Sequence, residues 1–537
     1  MNRLIKNLLY VYCILGLFCM NVYASDVKQC EQLFNSKKYE EVLPICQKSC
    51  DMNDGVGCFY IGILYYGGLG VKQEYSVATT YFEKACNLNH GDACFNMGFS
   101  YYNGQGVKQD YIKANTYYEK ACILNNGDGC TGVGYLYTMG QGVKQDYNKA
   151  NAYYEKACNL NNSKGCFNLA LYYAQGQGVK QDYNKASTYY EKACNLNDGL
   201  VCLSIGDLYN NGGQWVKQDY SKASTYYEKA CTLNNGKGCF RVGYLYAVGQ
   251  GVKQDYNKTR TYYEKACNLN EGLGCVGVGM FTVDQGAKQD YKKAKTYYEK
   301  ACNLNEGFGC SFLGDLYYFG EGIQQDYSKA KTYYEKACNL NEDFGCTSLG
   351  NLYNFGEGIQ QDYSKAKTYY EKACNLNNSD GCLSIGNLYH KGQGVKKDYI
   401  KTKTYYEKSC DLNDGGGCFN LGFLYVNGQG VKQDYSKAKS YYEKACNLNN
   451  SDGCLNLGVL YKKGFGLRQD VSIAVTFYEK GCKLKNSTAC DNLGELYEYG
   501  IGVRQNKTTA KEYYGKSCDL GDQEGCDNYR KLNEQGY

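Results

Sequence analysis

Fourteen cysteine pairs, each with seven residues between its members, recur along the 537-residue chain at an almost constant step. The first members are Cys50, Cys86, Cys122, Cys158, Cys194, Cys231, Cys267, Cys302, Cys338, Cys374, Cys410, Cys446, Cys482 and Cys518. They are spaced 36 residues apart, except for one step of 37 and one of 35. Their partners in sequence are Cys58, Cys94, Cys130, Cys166, Cys202, Cys239, Cys275, Cys310, Cys346, Cys382, Cys418, Cys454, Cys490 and Cys526. A fixed period of this length marks stacked supersecondary units, none of which can bury its apolar face alone.

One unit, Cys418 to Cys446, shows what each repeat folds into. Cys418, Leu421, Gly422 and Tyr425 fall at i, i+3, i+4 and i+7, one face of a helix. Gly428-Gln429-Gly430 ends that helix. Helical spacing resumes through Tyr435, Ala438, Tyr441, Tyr442, Ala445 and Cys446, with Asp434 or Ser436 as N-cap. Each unit is therefore expected to be a two-helix hairpin. Gly422 and Ala438 would let its helices approach closely. Most of the 61 tyrosines belong to Tyr-Tyr pairs of the second helix, and their expected role is inter-helix packing with the hydroxyl at the surface.

The first 24 residues read as a secretory signal: Arg3 and Lys6, an apolar run from Leu8 to Met20, then Val22-Tyr23-Ala24 as the cleavage pattern. That run is shorter than the roughly 20 residues of a membrane span, and no second run of membrane length follows. Cys13 and Cys19 leave with the signal, so 32 − 2 = 30 cysteines remain. An even, regularly spaced set in an exported chain reads as a disulfide framework and places the protein in a secreted or periplasmic setting. Zinc is the rival reading. Structural zinc sites favour cysteines two to four residues apart, and only His90 and His390 could add ligands. No metal or other cofactor is expected. Lys plus Arg (60) nearly balances Asp plus Glu (55), so nothing suggests a nucleic-acid partner. A single Pro, Pro44, and the lack of any biased linker favour one continuous architecture.

The pattern LGxLYxxGxGVxxDxxKAxxYYEKA resembles the Sel-one-like repeat, a relative of the tetratricopeptide repeat, and the added KACxLNxxxGC junction resembles the Helicobacter cysteine-rich protein family. The resemblance covers about residues 25–530. It implies an all-α chain, an α/α solenoid superhelix of about 14 repeats, in which each disulfide joins the second helix of one repeat to the first helix of the next. Closing so short a loop contributes about 2–3 kcal/mol in the chain-entropy account. The expected organisation is a signal segment at 1–24, a degenerate helical hairpin at 25–57, tandem repeats over 58–525 and a capping helix at 526–537. Cys30 and Cys46 would cross-link the first hairpin, and Pro44 should kink its second helix. Departures from the repeat near 210–216 and 280–287 would alter the superhelix locally.

The resemblance also implies, for some members, penicillin binding with weak β-lactamase activity. That chemistry needs S-x-x-K with S-D-N and K-T-G elements. Ser328–Lys331, Ser364–Lys367 and Ser436–Lys439 supply the first, all at one repeat position, and neither of the others occurs. No catalytic residue is assigned. Recognition instead needs variation on a constant scaffold. Two and five residues after the second cysteine the chain varies while neighbouring Leu, Gly and Tyr recur. The candidate binding residues there are Tyr60, Asn96, Phe99, Tyr135, Asn168, Tyr244, Phe312, Asn420, Phe423, Asn456 and Asn492. Asn amides can hold a peptide backbone and the aromatics can line a groove. The expectation is a monomeric secreted scaffold for a protein or peptide ligand.

Overall fold

A computed structural model describes residues 27–214, 216–284 and 290–537. Residues 1–26 (the expected signal segment among them), Trp215 and residues 285–289 lie outside the described residues. The chain forms two compact units, Met1–Leu269 and Asn270–Tyr537. Among the described residues every regular element is a helix.

The first unit opens with α1 (27–35) and α2 (Tyr39–Asp51), then pairs α3 (Gly55–Gly67) with α4 (Tyr75–Asn87), α5 (Gly91–Asn103) with α6 (Tyr111–Ile123), α7 (Gly127–Met139) with α8 (Tyr147–Asn159), α9 (Ser163–Gln175) with α10 (Tyr183–Asn195), α11 (Gly199–Asn211) with α12 (Tyr220–Thr232) and α13 (Gly236–Val248) with α14 (Tyr256–Asn268). The second pairs α15 (Gly272–Asp284) with α16 (Tyr291–Asn303), α17 (Gly307–Phe319) with α18 (Tyr327–Asn339), α19 (Asp343–Phe355) with α20 (Tyr363–Asn375), α21 (Ser379–Lys391) with α22 (Tyr399–Asp411), α23 (Gly415–Asn427) with α24 (Tyr435–Asn447), α25 (Ser451–Lys463) with α26 (Val471–Lys483) and α27 (Ser487–Tyr499) with α28 (Lys507–Asp519), and closes on α29 (Gln523–Glu534). Within each unit a helix packs on the next in sequence, and first helices also touch the first helix of the following hairpin, as α5 touches α7 and α7 touches α9.

Local chemistry sets the bounds. Gly104 ends α5 in the left-handed region, φ 71°, where a side chain would be strained. Asp110 opens α6 by accepting from the Lys113 amide at 3.0 Å. Between repeats, Asn126 accepts from the Gly129 amide at 2.7 Å to cap α7. Asp434 alone, and not Ser436, caps α24, accepting from the Lys437 amide.

The small residues work as expected. A Cβ on Gly422 would stand 2.7 Å from the Tyr442 ring, and Ala438 is fully buried. The second tyrosine of each pair corrects the reading of surface hydroxyls. Tyr154, Tyr227 and Tyr370 are at most 2% exposed, and the Tyr227 hydroxyl donates inward to Asp207 at 2.7 Å. The first tyrosine stays nearer the surface and stacks on a first-helix tyrosine, as Tyr117 does on Tyr101 at 5.6 Å, with Lys113 5.2 Å above the Tyr101 ring.

The EKAC run joins successive repeats. Tyr117 donates to Glu83 of the preceding second helix at 2.9 Å. Lys84 donates to the Cys50 carbonyl at the end of the second helix before it, at 2.9 Å. Lys372 and Lys408 repeat that bond to Cys338 and Cys374.

Within each unit, disulfides link each second helix to the next first helix, with Cα–Cα separations of 4.4 Å at Cys158–Cys166 and 4.8 Å at Cys194–Cys202. Cys267 and Cys275 are disulfide-bonded too. Cys30 on α1 and Cys46 on α2 are bonded, Cα–Cα 5.1 Å. Helix α2 runs unbroken through Pro44. The extra residue near 210–216 is taken up inside the loop. Gln218 donates to the Asn210 carbonyl eight residues back, where Gln109 reaches seven residues back to Tyr102. The deletion near 280–287 falls partly outside the described residues.

Candidate ligand-binding face

The varying positions lie on first helices, on the side left over once Leu, Gly and Cys have faced the core. Three such helices, α5, α7 and α9, line a cavity of about 290 Å³. It brings together Phe99, Tyr135 and Asn168 of the expected set, with Phe95, Tyr102, Tyr118, Asp128, Thr131, Gly132 and Lys164. Phe99 and Tyr135 are 39% and 41% exposed.

The cavity has a local cause. Where α5 and α9 carry Phe-Asn directly after the second cysteine (Phe95-Asn96, Phe167-Asn168), α7 carries Thr131-Gly132. The missing bulk opens the space. A Cβ at Gly132 would stand 2.9 Å from the Tyr118 ring, so that ring forms a floor beside Phe95, 5.7 Å away. Burial pushes the Tyr118 hydroxyl well above the usual phenol range, which keeps it a neutral donor. Tyr102 and Tyr135 stand edge to face at 6.0 Å, and the hydrogen bond between them, with burial, pushes Tyr102 up to about 12.

One wall is polar and pre-ordered. Thr131 donates to Asn162 at 3.0 Å, and Asn162 donates to Asp128 at 2.9 Å while capping α9 through the Gly165 amide at 2.8 Å. The face thus offers aromatic surface beside fixed polar groups and the exposed Lys164, the composition of a site for an amphipathic chain.

Other expected residues are placed differently. Tyr60 packs on Phe34 at 4.7 Å, and Phe312 on Tyr298 at 5.3 Å. Asn456 and Asn492 each donate to a carbonyl one turn back, those of Asp452 and Thr488. Asn96 and Asn420 are half-buried; Tyr244 and Phe423 are exposed at 48% and 41%. The cavity does not gather these residues. It adds Phe95, Thr131 and Lys164, which the two columns omitted. Their signal was the change from Cys-Phe-Asn to Cys-Thr-Gly at residues 130–132.

The serines of the S-x-x-K sequences, Ser328, Ser364 and Ser436, are exposed in the first turns of α18, α20 and α24. Lys439 lies 5.5 Å from the Tyr461 ring, and its bond to that tyrosine raises its hold on the proton, opposite to what a general base needs.

The family described as Sel1 repeat matches thirteen segments: 55–90, 91–126, 127–162, 163–198, 201–235, 236–271, 276–306, 308–342, 344–378, 379–414, 416–450, 451–486 and 487–522. The chain belongs to the Sel1 repeat family. Among solved structures it is similar to Helicobacter pylori cysteine rich protein B, at 42% identity over 25% of this chain and 97% of that chain, TM-score 0.21. It is also similar to a protective antigen of uropathogenic Escherichia coli with an SLR fold, at 21% identity over 92% of this chain and 97% of that one, TM-score 0.48. A Sel1 repeat protein from Oxalobacter formigenes is 18% identical over 62% of this chain and 93% of that one, TM-score 0.45. No curated protein matches the chain. A Sel1 array of this kind is a scaffold for protein interaction. Its many disulfides indicate an oxidising, non-cytoplasmic compartment. Among the described residues no helix is long and apolar enough to cross a membrane.

Proposed function

We propose that this protein is a secreted or periplasmic scaffold that holds a protein or peptide ligand against α5, α7 and α9. The observation that carries this reading is the open aromatic groove made by Thr131 and Gly132, with Phe99 and Tyr135 at its rim and Asn168 and Lys164 beside it. An extended segment would seat apolar side chains on the rings and present its backbone or carboxylate to Asn168 and Lys164. The disulfide at every junction keeps the face in shape before the ligand arrives, which lowers the ordering cost of binding.

The test uses the oxidised protein and a phage-displayed random peptide library, with counter-selection on the Phe99→Ala/Tyr135→Ala variant. Peptides selected on the wild type should bind the Phe99→Ala/Tyr135→Ala variant at least about tenfold more weakly, as expected for aromatic anchors. Selected peptides that bind both proteins equally would rule out this face.

A further inference from the structure

Hairpins α17–α18 and α19–α20 differ from the others in the loop between their helices. Two positions before the residue capping the second helix, every other repeat carries a cation, as at Lys108, Lys144 and Arg504; these two carry Gln324 and Gln360. Between the two loop glycines they carry Glu321 and Glu357, where most repeats carry Gln. Each loop thus exchanges a positive charge for a negative one.

The same two hairpins end their first helices in phenylalanine. Phe319 and Phe355 are each 63% exposed, the most exposed phenylalanines among the described residues. One contact draws these features together. Tyr318 donates to Glu357 of the next hairpin, and its ring stands edge-on to Phe319 at 4.7 Å. Phe355 lies two residues before Glu357. The Tyr318–Glu357 bond therefore has an exposed phenyl ring on either side in sequence. The neighbouring lysines are engaged elsewhere. Lys329 pairs with Asp326 at 3.3 Å and lies over Tyr317; Lys365 pairs with Asp362 at 3.7 Å and lies over Tyr353.

We propose that this patch docks a polypeptide segment carrying apolar and cationic side chains side by side. Two large rings left in water, each with a carboxylate two residues further along its loop, match a partner whose Arg or Lys heads meet Glu321 and Glu357 while its apolar groups and side-chain stems cover Phe319 and Phe355. The surface is distinct from the groove of α5, α7 and α9 and does not depend on it.

Panning a random peptide library on the oxidised mature chain, with counter-selection on the F319S/F355S variant, tests this. Enriched peptides should combine Arg or Lys with Leu, Ile or an aromatic. They should bind F319S/F355S about tenfold or more weakly, and bind E321Q/E357Q more weakly and with less salt dependence. The F99A/Y135A variant should bind them unchanged, which separates this surface from the groove. All three variants alter exposed or half-exposed groups, and an unchanged thermal midpoint confirms their folding. Failure to enrich any peptide, enrichment of peptides without cations, or equal binding to F319S/F355S overturns the proposal. So does self-association in sedimentation that F319S/F355S abolishes, which would make the occupant a second copy. Binding to phosphatidylcholine–phosphatidylglycerol vesicles that the same variant abolishes would assign the patch to a lipid surface and overturn it equally.

Discussion

Helices α5, α7 and α9 and helices α17, α19 and α21 are built on one repeat, yet they use one column in opposite ways. Five residues after the second cysteine, the first set carries Phe99, Tyr135 and Leu171, and the second carries Asp315, Asn351 and Asn387. In the second set each polar group accepts the hydroxyl of its own hairpin's buried tyrosine: Tyr334 to Asp315 at 2.6 Å, Tyr370 to Asn351 at 2.7 Å and Tyr406 to Asn387 at 2.7 Å. The hairpin closes on itself there. In the first set Phe99 and Leu171 cannot accept, and the Tyr135 hydroxyl is bonded to Tyr102 instead. Tyr154 turns to the Thr138 hydroxyl at 3.1 Å, and the Tyr190 hydroxyl is buried with no partner. A column that varies is therefore not a surface by virtue of varying; it faces outward only where the tyrosine beneath has no claim on it.

The sharpest way to break this comparison is Asn351→Leu, which gives the closed region the chemistry of the open one. It removes the acceptor of the Tyr370 hydroxyl, on a side chain 1% exposed, and leaves that oxygen only its bond with Ser384; the expected loss is about 2 kcal/mol in urea unfolding. A neutral result would mean that the bond does not hold the hairpin shut.

Asp315→Asn should act in the other direction. Burial, opposed in part by the Tyr334 bond, pushes Asp315 up to about 6, above the value of an unfolded aspartate. The folded chain then holds this proton more tightly than the unfolded chain between about pH 4 and 6. Stability falls as pH rises through that window and stays lower above it. Asn keeps the acceptor without the charge, as Asn351 shows, so the variant should gain about 1–2 kcal/mol at pH 7 and nothing at pH 4. Equal gains at both pH values would refute the charge as the cause.

In the open region, Phe99→Ala should cost less than about 0.5 kcal/mol of stability while weakening peptide binding. A large drop in melting temperature would show that Phe99 is core and that the two regions are less different than they look.

The smallest effect is expected at the entry to α5. His90 accepts from the Ala93 amide at 3.3 Å and stacks on Phe59 at 4.5 Å; burial lowers its pKa. The unfolded chain binds that proton more tightly, so stability should decline as pH falls through about 6.5. His90→Asn, the cap used at Asn126, should remove that decline, worth about 0.5–1 kcal/mol. Thermal midpoints at pH 5 and 7.5 that respond identically in wild type and variant would contradict it.

Much of this was legible in the residues. Two helical periodicities per 36-residue step define the hairpins, and Gly-x-Gly and Asp place their ends. The groove was legible only in part, because its existence depends on a pair of small side chains in one helix, Thr131 and Gly132, meeting larger neighbours two hairpins apart in sequence. The inward hydroxyls of Tyr227 and Tyr370 escaped notice because the two members of Tyr-Tyr are identical on paper. A turn of about 100° per residue sends one to the edge and the other under its partner helix. The Lys of EKAC reads as a solvated charge until the preceding repeat supplies the carbonyl it reaches.

The bond between Cys122 and Cys130 encloses the whole turn from α6 to α7. A protease that cuts between them leaves the two pieces covalently joined. Cleavage at such a turn would pass unseen on a gel until reductant was added. The segments that connect repeats, ordinarily the first to be severed in a string of hairpins, are here the ones where a cut need not divide the molecule.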